Sequence, residues 1–114
     1  MRFMLTKKDI IALNEYFSDG SLHNEPSLDF AVGYAKKTEN WTKALAFLIR
    51  AILLDHVFEE GNKRTAALLI KTYAEIEGYA VYDDRLLLMI KKIIFKKITT
   101  ISHIEELIKH AIRK

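Results

Sequence analysis

Residues 56 to 69 read HVFEEGNKRTAALL: a histidine, two carboxylates, a glycine, an asparagine and two adjacent cations, immediately ahead of an Ala/Leu run. The flanks of this stretch decide the fold. Upstream, Asn40 is placed to cap a helix through Asp55 whose apolar residues, from Trp41 and Ala44 to Leu54, cover nearly every side. Downstream, Ala66 to Ile70, Tyr73, Ala74 and Ile76 mark a second largely buried helix, over about 62 to 77 and ended near Gly78. Helices that bury most of their surface belong at the centre of a fold. The residues between them therefore form a crossing held rigidly at both ends.

Outward from this pair the pattern stays helical. Thr6 followed by Asp9 matches a capping box, and Ile10, Ile11, Leu13, Tyr16 and Phe17 recur at helical spacing to about Ser18. Residues 19 to 27, DGSLHNEPS, collect turn formers and the only proline. A turn is expected there, with a small β-hairpin flap over residues 20–26, before Ser27-Leu28-Asp29-Phe30 opens another helix. Asp83 or Asp84 can cap a helix through about Lys97, and Ser102 with Glu105 a last one carrying Ile104, Leu107, Ile108, Ala111 and Ile112. Tyr79 to Tyr82 reads as extended, but nothing reads as a sheet. The expectation is one all-α domain of about six helices over residues 1–114.

Composition agrees with a globular chain: 114 residues, half of them apolar and 29% charged. The first residues, MRFMLTKKD, lack an apolar signal core, and the most apolar run, Ala44 to Leu54, is broken by Arg50 and too short to span a bilayer. These features predict a cytoplasmic protein without a membrane partner. With no cysteine there is no disulfide framework, thiolate zinc site or cysteine nucleophile. Charge is uneven, since residues 85 to 114 hold 8 Lys/Arg against 2 Asp/Glu. Lys91, Lys92, Lys96 and Lys97 suit the solvated side of an amphipathic helix. No helix-turn-helix or zinc spacing accompanies them, which argues against nucleic acid as the partner and leaves a noncatalytic basic module as the weaker reading.

The crossing itself has a consistent chemistry. His56 ends one buried helix and Asn62 starts the next. Free N–H groups and the positive dipole end of that second helix suit an anion such as phosphate, and Lys63 and Arg64 add full charges. Gly61 permits a sharp turn and close approach, Asn62 brings a hydrogen-bonding amide, and Glu60 supplies a hard oxygen for Mg²⁺. His56 is the natural general base, while Phe58 reads as a core anchor. Taken singly, each charged residue here reads as cap or solvated surface; together they read as a site.

The pattern His56-x-Phe58-x-Glu60-Gly61-Asn62-Lys63-Arg64-Thr65 resembles the central motif of the Fic/Doc family, and more closely its Doc (death-on-curing) branch. The surroundings agree over almost the whole chain. The resemblance implies a compact helical Fic fold that transfers part of a nucleoside triphosphate to a protein hydroxyl. His56 would act as base, Glu60 would hold Mg²⁺, and Gly61, Asn62, Lys63 and Arg64 would hold the phosphates of ATP. Fic nucleotidyltransferases usually carry Pro after the histidine, Gly where Lys63 stands and a second Arg where Ala67 stands; this chain has none of the three. Doc-like members share that departure and move the γ-phosphoryl group, so the resemblance implies a kinase-like toxin, with AMPylation as the alternative. By the same analogy the partners are a small antitoxin protein and a target such as a Tu-type elongation factor. Ser102-x-x-x-Glu106 begins like the inhibitory motif of some Fic proteins but continues with Leu107, so Ser102 reads as a helix cap.

Overall fold

The computed structural model describes residues 5 to 114. It is all-α, with six helices: α1 Lys7–Asn14, α2 Glu25–Lys37, α3 Trp41–Leu54, α4 Asn62–Ile76, α5 Asp83–Lys96 and α6 Ile101–Ala111. Two short strands, β1 Ala80–Val81 and β2 Ile112–Arg113, pair antiparallel and tie the end of the chain to the α4–α5 connection. The signal-segment reading of MRFMLTKKD falls partly on residues 1–4, outside the described residues. Among the described residues no helix is long and apolar enough to cross a membrane.

α3 is the central helix because its sequence leaves it no polar face. Ala44, Leu45, Ala46, Leu48, Ile49, Ala51, Ile52 and Leu53 are all buried, and α2, α4, α5 and α6 pack around it. Asn40 caps it as expected, its side chain accepting from the N–H groups of Thr42 and Lys43. The capping box at Thr6 and Asp9 is formed, and Gly78 (φ +84°) ends α4 with Tyr79 donating to the Ala74 carbonyl at 2.8 Å, a Schellman pattern.

Several expectations need correction. Asp83 and Asp84 lie in the first turn of α5 and do not cap it, since the N-cap is Tyr82 and makes no side-chain cap bond. Ile112 leaves the last helix for β2, whose pairing with β1 makes a small sheet that no alternation in the sequence announces. Residues 20–26 do not form a hairpin: Asn24 is already the N-cap of α2, with Pro26 in its first turn. The short segment before it pairs instead with the α3–α4 crossing, through a Leu22–Phe58 bridge and a Glu59 N–H to Ser21 O bond of 3.0 Å. Ser102 is not a cap, because α6 starts at Ile101 behind Thr100, and Glu105 accepts from Thr42 Oγ1 at 2.6 Å rather than folding back on the helix start. The first helix stops at Asn14 rather than Ser18, and residues 15–17 continue only as turns.

Candidate functional site

α3 closes with Asp55, whose N–H donates to the Ala51 carbonyl at 3.0 Å, and His56 comes next in the left-handed region at φ +50°. Helices commonly end this way, but glycine usually fills the position because a Cβ makes it unfavourable. The corner is held from the side by α2. Ser27 Oγ donates to Asp55 Oδ2 at 2.5 Å, and Asn24 Nδ2 to the Asp55 carbonyl at 3.1 Å. The His56 ring is left exposed at the rim.

Val57 and Phe58 then carry the chain through the core, both buried. The Asn62 side chain clamps this crossing: Phe58 N–H donates to its Oδ1 at 3.0 Å, and its Nδ2 donates to the Phe58 carbonyl at 2.9 Å. What Asn62 keeps for a ligand is its main-chain N–H and one amide hydrogen. Glu59 turns toward His23, with Oε2 3.8 Å from Nδ1, whereas the Glu60 carboxylate has no ion-pair partner among the described residues.

Asn14 organises the floor. It is fully buried, donates from Nδ2 to the Glu60 carbonyl (2.9 Å) and to Thr65 Oγ1 (3.0 Å), and accepts at Oδ1 from Gly20 N–H (2.9 Å). One amide thus ties α1, the 19–20 turn, the crossing and α4 together. It also accounts for Gly61, whose φ is +77° and where an added Cβ would lie 3.2 Å from Asn14 Nδ2. No alanine could sit there without strain and displacement.

Gly61 offers α4 no side-chain cap, and the N–H groups of Asn62, Lys63 and Arg64 find no acceptor among the described residues. Thr65 N–H, bonded to the Gly61 carbonyl at 2.9 Å, is the first to be satisfied. The dipole end and three donors therefore open into a groove of about 990 Å³. All six residues singled out in the sequence, His56, Glu60, Gly61, Asn62, Lys63 and Arg64, line it. Ile94 of α5, with Lys97 and Thr99 just beyond that helix, forms the far wall, and Phe17 forms the near wall.

Two residues of the site escaped the sequence reading. Asn14 has a legible signal, a polar residue four positions after the buried Ile10 on the core face of α1, but its partners lie 46 and 51 residues away. Lys97 reads as solvated charge in sequence. Here it ends α5 at φ +49° and faces the groove without an ion pair among the described residues.

Among the described residues there is no group of three or more His, Cys, Asp or Glu able to cage a metal ion. Glu60 is a single hard oxygen donor at the groove, too few by itself to hold Mg²⁺, which would need further oxygens from a bound ligand. The arrangement can bind an anion at the start of α4 beside an exposed imidazole. Comparison of the chain with family models, with curated proteins and with solved structures returns no match.

Proposed function

We propose that this chain is a Doc-like phosphotransferase that moves the γ-phosphoryl group of ATP to a hydroxyl of a target protein. The observation that carries the reading is the groove itself: an imidazole held at a left-handed helix end opens onto an uncapped helix start that bears Lys63 and Arg64. Phosphoryl transfer depends chiefly on positioning and charge stabilisation, which is what such a site offers.

In the proposed reaction His56 accepts the proton of the target hydroxyl. The hydroxyl oxygen forms a bond to the γ-phosphorus, the bond from that phosphorus to the β–γ bridging oxygen breaks, and ADP leaves with the electron pair. The N–H groups of residues 62–64 hold phosphate oxygens, Arg64 can engage them through its planar fork, and Lys63 neutralises charge on the group in flight. Mg²⁺ bound to Glu60 would screen the remaining phosphate charge. Resemblance to the Doc branch extends the reading to a toxin with a small antitoxin partner and a Tu-type elongation factor as target class.

The test uses the purified protein with Mg²⁺, a cell lysate or a Tu-type elongation factor, and ATP radiolabelled at either the γ- or the α-phosphate. A protein band should take the γ label and not the α label. The opposite pattern would establish nucleotidyl transfer instead. Lys63→Gly, at an exposed first-turn position, should reduce γ-transfer strongly while leaving the fold intact.

A further inference from the structure

On the other side of α5 from the candidate groove lies a second concavity, a trough of about 590 Å³ between α5 and α6. Its apolar surface includes Leu88, Leu107 and Phe95, and Phe95 is 83% exposed. Lys91, Lys92 and Lys96 also border it, none of them in an ion pair among the described residues, and no Asp or Glu lines it. At one end Arg85 pins the two helices, donating to the His110 carbonyl at 3.1 Å.

We propose that this trough docks an acidic amphipathic helix of a partner protein. Charge complementarity selects the acid: three unpaired lysines around an apolar floor are matched by carboxylates flanking an apolar stripe. Spacing selects the helix. Leu88, Lys91, Lys92 and Phe95 fall at i, i+3, i+4 and i+7, so the exposed stripe spans two turns, and a partner helix with the same apolar repeat covers it. Leu88 and Phe95 give such a helix two apolar anchors, which a phosphodiester backbone, able to engage only the cations, would leave uncovered. A concave trough between helices also suits an inserted row of side chains better than a flat lipid surface. The inference does not depend on the phosphotransfer reading.

The probe is a fluorescein-labelled helical peptide of about four turns, with Leu at i, i+3, i+4 and i+7 and Glu elsewhere. Its counterpart carries Lys in place of Glu. Fluorescence anisotropy on the full chain should show the Glu peptide binding at least about tenfold more tightly than the Lys peptide, with affinity falling as salt rises. Phe95→Ser and Lys92→Glu should each weaken it by about tenfold with unchanged circular dichroism, since both side chains are exposed. Absence of binding, equal affinity for the two peptides, or indifference to Phe95→Ser overturns the proposal. So does tighter binding of phosphatidylglycerol vesicles or of an RNA hairpin. Sedimentation showing a dimer that Phe95→Ser abolishes would assign the face to a second copy of this chain and overturn it equally.

Discussion

Replacing His56 by glycine should make the protein more stable and inactive, an unusual pair of outcomes that separates a catalytic imidazole from a structural one. His56 sits at φ +50°, and its ring makes neither a hydrogen bond nor an ion pair with any described residue. A left-handed backbone costs an L-residue about 1–2 kcal/mol, with His toward the low end because it tolerates the region better than most. Glycine removes that penalty but adds unfolded-state entropy worth about 0.4–1 kcal/mol. The net expectation for His56→Gly is a gain of about 0.5 kcal/mol, or roughly 2–4 °C in melting temperature for a chain of this size. His56→Ala keeps a Cβ at the same φ, so it should be no more stable than the parent and less stable than the glycine variant by about 0.5–1 kcal/mol. Both should lose about 10²- to 10⁴-fold in γ-phosphoryl transfer, the usual cost of losing a general base. Urea unfolding followed by circular dichroism reads the first quantity and label transfer reads the second. A glycine variant destabilised by more than about 1 kcal/mol would mean that the imidazole is a structural group, and retained transfer would remove His56 as the base.

The other expectations rest on the same geometry. Asn14→Ala strips one buried amide of three hydrogen bonds and should cost about 2–4 kcal/mol in urea unfolding; a change below about 1 kcal/mol would mean that the crossing is held by its own contacts. Lys97→Gly should raise the melting temperature while weakening binding of inorganic pyrophosphate measured by calorimetry, and unchanged binding would reduce Lys97 to an ordinary helix end. Asp19 is held below the usual carboxylate range by hydrogen bonding to Ser21, its main-chain N–H first. A depressed carboxylate contributes stability above its unfolded value, near 3.8, and loses it as pH falls through the lower folded value. Asp19→Asn should therefore flatten the acid limb of the stability curve below about pH 4, and an unaltered limb would place acid sensitivity elsewhere. Lys7 is linked to the other end of the pH scale. Its hydrogen bonds to Asp29 and Glu25 raise the ammonium pKa above 10.5, and the stability linked to that shift is lost as pH climbs through the folded value.

How much of this was legible depended on whether a feature is local in the chain. The Thr6–Asp9 box, the Asn40 cap and the Gly78 terminus each rest on residues within a few positions of one another, and each is formed. The all-round apolar character of α3 was enough to place it at the centre. Pairing between distant segments left no such trace. Leu22 meets Phe58 across 36 positions, which is why residues 20–26 looked like a hairpin closing on itself. Ser102 had the right spacing for a cap, but Glu105 was drawn to Thr42 on another helix. Within the site, the contiguous residues 56–64 were readable as a motif, whereas the wall opposite, including Lys97, belongs to a helix end some thirty residues later.

Three helix ends provide an internal comparison that bears on why the groove is built as it is. α3, α4 and α5 each terminate through a residue with positive φ. At α4, away from the groove, that residue is Gly78, and nothing lies within 4 Å of where its Cβ would be, so the backbone angle alone accounts for glycine. At α5 the same Schellman closure is present, Ile98 N–H donating to the Ile93 carbonyl at 3.1 Å, yet the left-handed position carries Lys97. At α3 it carries His56. Both non-glycine residues with positive φ among the described residues therefore line one groove, beside the uncapped start of α4. Backbone strain of this kind concentrates at functional sites, where a side chain is kept despite the more stable alternative. The contrast with Gly78 is a reason, separate from any resemblance in its sequence, to test this groove for ligand binding.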